Sequence, residues 1–131
     1  MHVRVVLLLI FASLGTCLKS YQDRIPNGRN VLDPCDPSVT WPAVGHDLRY
    51  PPNQGSFHIN HHNTRFGLDF AAAGHRWTET LCRQDSDGDS RTNGEELGDP
   101  FCQWTVGDIP SHKVSGHPGF NEETYCRHLD G

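Results

Sequence analysis

The chain has 131 residues, eleven Lys plus Arg against sixteen Asp plus Glu, and a formal charge of −5 with histidine neutral. An acidic surface of this kind repels phosphate backbones, and no basic run interleaved with aromatic residues appears, so nucleic acid is excluded as the natural partner. Low aliphatic content with 13 Gly and 9 Pro predicts a loop-rich fold, while the Trp and Phe residues supply clusters that separate it from a disordered chain.

Residues 1–20 read as a secretory signal peptide: Arg4 gives the positive end, Val5 to Leu14 the apolar stretch, and small or polar residues follow. The apolar stretch is too short to span a bilayer, so no membrane span is expected. No A-x-A site fixes the cut, which falls between Cys17 and Ser20; Thr16 argues against processing before Cys17 as in a bacterial lipoprotein. Residues 21–131 are then a single secreted domain of roughly 111 residues, with nine basic against sixteen acidic side chains and a formal charge of −7. So small a core calls for covalent staples. The cysteines remaining are Cys35, Cys82, Cys102 and Cys126, an even set suited to two disulfides in an oxidising compartment. Three pairings are open from sequence; Cys82 with Cys102, closing a compact acidic loop and leaving Cys35 with Cys126, is the one favoured.

In chain order, residues 21–56 hold six prolines and turn dipeptides such as Asn27-Gly28, so extended, turn-rich chain is expected there. Phe57 to Asn63, FHINHHN, is a polar, histidine-dense loop. In TRFGLDFAAAG, Phe66 and Phe70 at i and i+4 with an alanine run predict a helix that Gly74 ends. Trp77 and Leu81 repeat the spacing and predict a second short helix leading into the acidic stretch. Thr92 and Glu95 form a T-x-x-E capping box, Leu97 is set to pack inward, and Gly98 with Asp99-Pro100 stops the one helical turn between. After Cys102 come turns, including SGHPGF, then one helical turn at NEETYCRHL. The fold expected is a small, disulfide-stapled, loop-rich α+β or irregular domain with short helices and one EF-hand-like calcium loop.

That loop rests on spacing. Asp85, Asp87 and Asp89 alternate, Asn93 stands ninth from Asp85 and Glu96 twelfth, with the backbone carbonyl of Arg91 at the seventh place. Calcium suits such a set because it is a hard cation that accepts many oxygens in a flexible shell, whereas magnesium demands tighter octahedral geometry. Ser90 occupies the sixth position, where the bend favours Gly. A non-glycine residue in the left-handed region costs on the order of 1 kcal/mol, which weakens the site without abolishing it.

The segments DRIPNG, GHDLR, FGLDFAAAGHRWTETLCRQDSDGDSRTNGEELGDPFCQW and GHPGF together resemble the temptin family of secreted molluscan proteins of water-borne mating-pheromone complexes. The resemblance covers nearly all of residues 21–131. It implies Cys35, Cys82, Cys102 and Cys126 as the disulfide set, and Asp85, Asp87, Asp89, Asn93 and Glu96 as calcium ligands. It also implies a non-enzymatic extracellular signalling role beside other secreted pheromone polypeptides or an extracellular receptor. Two departures stand out: Ser90 replaces the Gly of the family pattern, and the His-rich FHINHHN replaces a Gly-rich segment.

The histidines raise zinc or copper as a further reading. His58, His61 and His62 lie close together, and His46 and His117 sit in Gly-flanked turns that present a side chain or bond a backbone carbonyl. With every cysteine oxidised no thiolate is free to help, and solvated loop histidines are the simpler reading. Ser56, Ser111 and Ser115 lack a G-x-S-x-G context, and nothing resembles a nucleophile with its base, so no enzyme is expected. Trp41, Trp77 and Trp104 read first as core. If a partner binds, the turns from Trp41 to Tyr50 and Ser115 to Phe120 are the expected surface, through Trp41, His46, His117 and Phe120. The acidic loop alone also permits an extracellular matrix or mineral-associated calcium-binding protein, although extended acidic runs are missing.

Overall fold

The computed structural model describes residues 21–48 and 63–127. The expected signal peptide and the His58–His62 cluster lie outside these residues. Helices α1 (Arg65–Ala72), α2 (Glu79–Arg83), α3 (Asn93–Leu97) and α4 (Glu122–Arg127) are joined by turns. Among the described residues, β pairing is limited to two isolated antiparallel bridges, Leu32 with Thr40 and His46 with Asn63. Over the described residues the domain is therefore irregular, with short helices and almost no strand. Cys82 bonds Cys102 and Cys35 bonds Cys126, the two staples that a core of this size needs.

The first three helices start where a threonine hydroxyl replaces a missing backbone partner. Thr64, Thr78 and Thr92 accept from the N–H groups of Gly67, Leu81 and Glu95, each at 3.1 Å. Glu95 Oε2 reaches back to the Thr92 N–H at 3.0 Å, completing the capping box. Thr78 also fixes a difference from the sequence reading: α2 begins at Glu79, so Trp77 precedes it, and its indole N–H donates to Asp99 Oδ2 at 2.8 Å. Gly98 ends α3 with φ +85°, and Asn27 from the N-terminal segment donates to the carbonyls of Leu97 at 2.9 Å and His112 at 3.0 Å. One amide thus joins the end of α3 to two distant parts of the chain.

Phe66 and Phe70 turn the apolar stripe of α1 into a core with Ile25, Val31, Trp41, Val44, Leu81, Leu97, Phe120 and Tyr125. Trp41, His117 and Phe120, expected on a partner surface, belong to this interior. The Trp41 ring meets both His117 and Phe120 edge-on at 5.2 Å, and its indole N–H lies 3.2 Å from the Ala43 carbonyl and 3.1 Å from that of His46. The correction follows from size: a domain this small uses its large rings to exclude water before it can display them. His46 is half-buried. By contrast Phe101, Val106 and Ile109, along the turns around and after Cys102, stand exposed.

Helix α1 seats directly on the N-terminal segment. A Cβ at Gly67 would lie 2.1 Å from the Gly45 carbonyl oxygen, so two backbones touch where a side chain would wedge them apart. Gly67→Ala should therefore lower stability by about 1–3 kcal/mol, the usual cost of overpacking, in thermal or denaturant unfolding of the disulfide-intact protein. An unchanged melting curve would show that this contact yields freely.

Candidate metal centre

The stretch between α2 and α3 is held at both ends before any ion is considered. Asn93 N–H donates to the Gln84 carbonyl at 2.7 Å, and a Cβ at Gly94 would lie 2.4 Å from Cys82 Sγ, so α3 packs tightly on α2 beside the Cys82–Cys102 bridge. Inside the loop, Asp85 acts as a local organiser. Its Oδ1 accepts from the N–H groups of Gly88 at 2.8 Å and Asp89 at 3.2 Å, and its Oδ2 from Ser90 N–H at 2.8 Å. Burial pushes its pKa upward, but these donors and Asp87 outweigh it and hold the group below its ordinary value. Ser90 adopts φ +73°, the left-handed bend anticipated for the sixth position.

The sequence-predicted ligands separate into two groups. Asp87, Asp89 and Glu96 converge, and Glu122 from α4 joins them, with one carboxylate oxygen of each lying within 4.8 Å of the others. Asn93 is tied to the fold on both sides of its amide, with Oδ1 facing the Ser86 N–H at 3.4 Å. Its side-chain amide donates to the Leu81 carbonyl at 2.8 Å and to Ser86 Oγ at 2.9 Å, fully buried, while Ser86 Oγ donates to Asp69 Oδ2 at 2.8 Å. Asn93 is thus the hub of a network tying α1, α2 and the loop. Arg91, expected to offer its carbonyl, also sends its guanidinium to Ser115, bonding the carbonyl oxygen at 3.2 Å and the hydroxyl. Glu122 had no signal at the level of spacing, since it is distant in sequence and reads there as one acidic residue of an exposed helical turn.

The electrostatics of the cluster are unfavourable without a cation. Glu96 is 0% exposed, and neither of its carboxylate oxygens has a hydrogen-bond partner; Asp87 Oδ2 is likewise buried and unpartnered. Burial first, then the charges of Asp87 and Asp89, push the Glu96 pKa up to about 10. Burial and the neighbouring Asp89 push Asp87 up to about 8. A donor set made of carboxylates alone fits a hard cation such as calcium better than zinc or copper, which favour nitrogen and sulfur. His117 Nδ1 accepts from Gly119 N–H at 3.0 Å, and burial lowers its pKa to about 4, which keeps the imidazole neutral. Neither His46 nor His117 belongs to a group of three or more convergent ligands among the described residues.

A family model described as Temptin C-terminal matches residues 15–120. Temptin of Aplysia californica is 44% identical over 116 residues, covering 88% of this chain and 86% of that protein. No solved structure matches the chain.

Ion-free protein should lose stability as pH rises. Glu96 and Asp87 hold protons in the folded state to about 10 and about 8, whereas in the unfolded chain they release them near 4. The folded state then binds more protons across that window, so the contribution is fully present below the unfolded pKa values and disappears as pH climbs through the folded ones. Melting in chelator should accordingly fall between pH 5 and pH 9, and a curve that rises over this range would refute the account. Separately, Ser90→Gly should stabilise the protein by about 1 kcal/mol by relieving the bend, as read by denaturant unfolding.

Proposed function

This chain belongs to the temptin family, and from that premise we propose that it is a secreted, non-enzymatic, calcium-binding signalling protein. In this reading it is a component of a water-borne mating-pheromone complex and acts with other secreted polypeptides or an extracellular receptor. The observation that carries the signalling role is the family match, which runs through the disulfide-stapled core and the acidic loop. Two disulfides suit an oxidising, extracellular setting, and among the described residues no helix is long and apolar enough to cross a membrane. The exposed Phe101, Val106 and Ile109 support a protein partner, because apolar side chains in water gain by being covered.

Buried, unpartnered Glu96 carries the calcium part of the reading. Asp87, Asp89 and Glu96 would hold the ion and Asp85 would shape the loop around it; the bound ion supplies the positive charge that these carboxylates lack. Its role here is structural. A carboxylate as enclosed as Glu96 is closed to a substrate, which favours ion binding over acid–base catalysis.

Two measurements test the proposal. Calcium at about 100 times its Kd should add about 2.7 kcal/mol of stability, a Tm rise on the order of 10 °C. Glu96→Gln should remove most of that rise, and identical melting with calcium and with chelator would defeat the calcium reading. For the signalling role, mass spectrometry of water conditioned by reproductively active animals of the source species should recover the chain, and its immunodepletion should reduce attraction. Recovery only from shell or matrix epithelium would favour the matrix-associated alternative.

A further inference from the structure

We propose that Glu122 is a ligand of the same cation, so that the ion joins the α2–α3 loop to helix α4. This inference rests on the cation reading of the acidic loop and adds to it a residue from outside the loop. The ninth-position oxygen, Asn93 Oδ1, faces the Ser86 N–H at 3.4 Å, while the amide nitrogen beside it is held by the Leu81 carbonyl and Ser86 Oγ. Glu122 stands among Asp87, Asp89 and Glu96. It is also held there: its Oε1 accepts from the N–H of His117 at 2.6 Å, and His117 and Pro118 are buried. That bond engages one lone pair of one oxygen and leaves the rest of the carboxylate for an ion.

The independent observation is Glu96, fully buried with both carboxylate oxygens unpartnered and facing three further carboxylates. Placing Glu122 beside it adds a fourth negative group; the Arg91 guanidinium lies near, bonded to Ser115, and one positive charge does not balance four carboxylates, an arrangement that a divalent cation turns from repulsive to attractive. The backbone has been fitted to this closeness. A Cβ at Gly116 would lie 2.9 Å from Glu96 Oε1, 3.1 Å from Arg91 Nη1 and 3.3 Å from Glu122 Oε1, so the turn before α4 lies against both carboxylates with no room for a side chain. Since α4 carries Cys126, bonded to Cys35, the ion's hold on Glu122 extends to the N-terminal segment.

Calcium calorimetry on the disulfide-intact protein tests the assignment with Glu122→Gln, which keeps an oxygen for the His117 N–H and loses the charge. The expected result is a Kd for calcium raised roughly tenfold or more, while melting in chelator stays equal to or above that of the unsubstituted protein. Glu123→Gln, which removes only the exposed pair with Arg127, should leave the Kd unchanged. Without any substitution, calcium should slow amide hydrogen exchange in residues 122–127. Loss of binding in Glu96→Gln together with an unchanged Kd in Glu122→Gln would overturn this inference alone, as would exchange in α4 that ignores calcium. Absence of calcium binding by the unsubstituted protein would overturn the cation reading and this inference with it.

Discussion

A carboxylate shut away from water needs a proton, a hydrogen-bond donor or a positive ion, and Glu96 has no donor. Its position is dictated by neighbours that leave little freedom. Leu97 next to it is buried in the core, Thr92 and Glu95 fix the start of its helix, and Gly98 fixes the end. The main chain of Glu95 and Glu96 is in turn bonded to Ser115, whose N–H donates to the Glu96 carbonyl and whose hydroxyl donates to that of Glu95. The cost of burying the charge is therefore imposed by the packing of α3, and the surrounding loop, the Ser115–Gly119 turn and α4 are arranged about it.

Three neighbouring features use the same economy of parts. Asp99 closes the exit of the acidic stretch: Oδ1 accepts from the N–H groups of Gln103 and Trp104, and Oδ2 from the Trp77 indole. Asp85 does the same at the entrance with three backbone donors. Asn93 binds the interior. Acidic residues that look equivalent in sequence thus divide into those that fold the loop and those that face one another across it.

Local chemistry was legible from the residues. The capping box at Thr92 and Glu95, the left-handed bend at Ser90, the helix stripe of Phe66 and Phe70 and the stop at Gly98 all depend on neighbours within a turn or two. What was not legible depends on contacts across the chain. Glu122 gains its place only because the His117 turn folds back on α3; Asn93 is tied into the interior by Leu81 and Ser86; Trp41 and Phe120 are interior because they meet each other and His117. Spacing along a loop identifies oxygens that can reach a common point, but tertiary packing decides which of them do.

The bond between Cys35 and Cys126 has a consequence for survival under proteolysis. It closes a covalent ring around almost the whole domain, with the Cys82–Cys102 bridge nested inside it. A protease that cuts once anywhere between residues 35 and 126 opens the chain without releasing a fragment, since both pieces remain tied through sulfur. The noncovalent contacts of Asn27 with the end of α3, and of α1 with Gly45, can then keep the severed ends in register. Such a molecule can be nicked and still persist as one body.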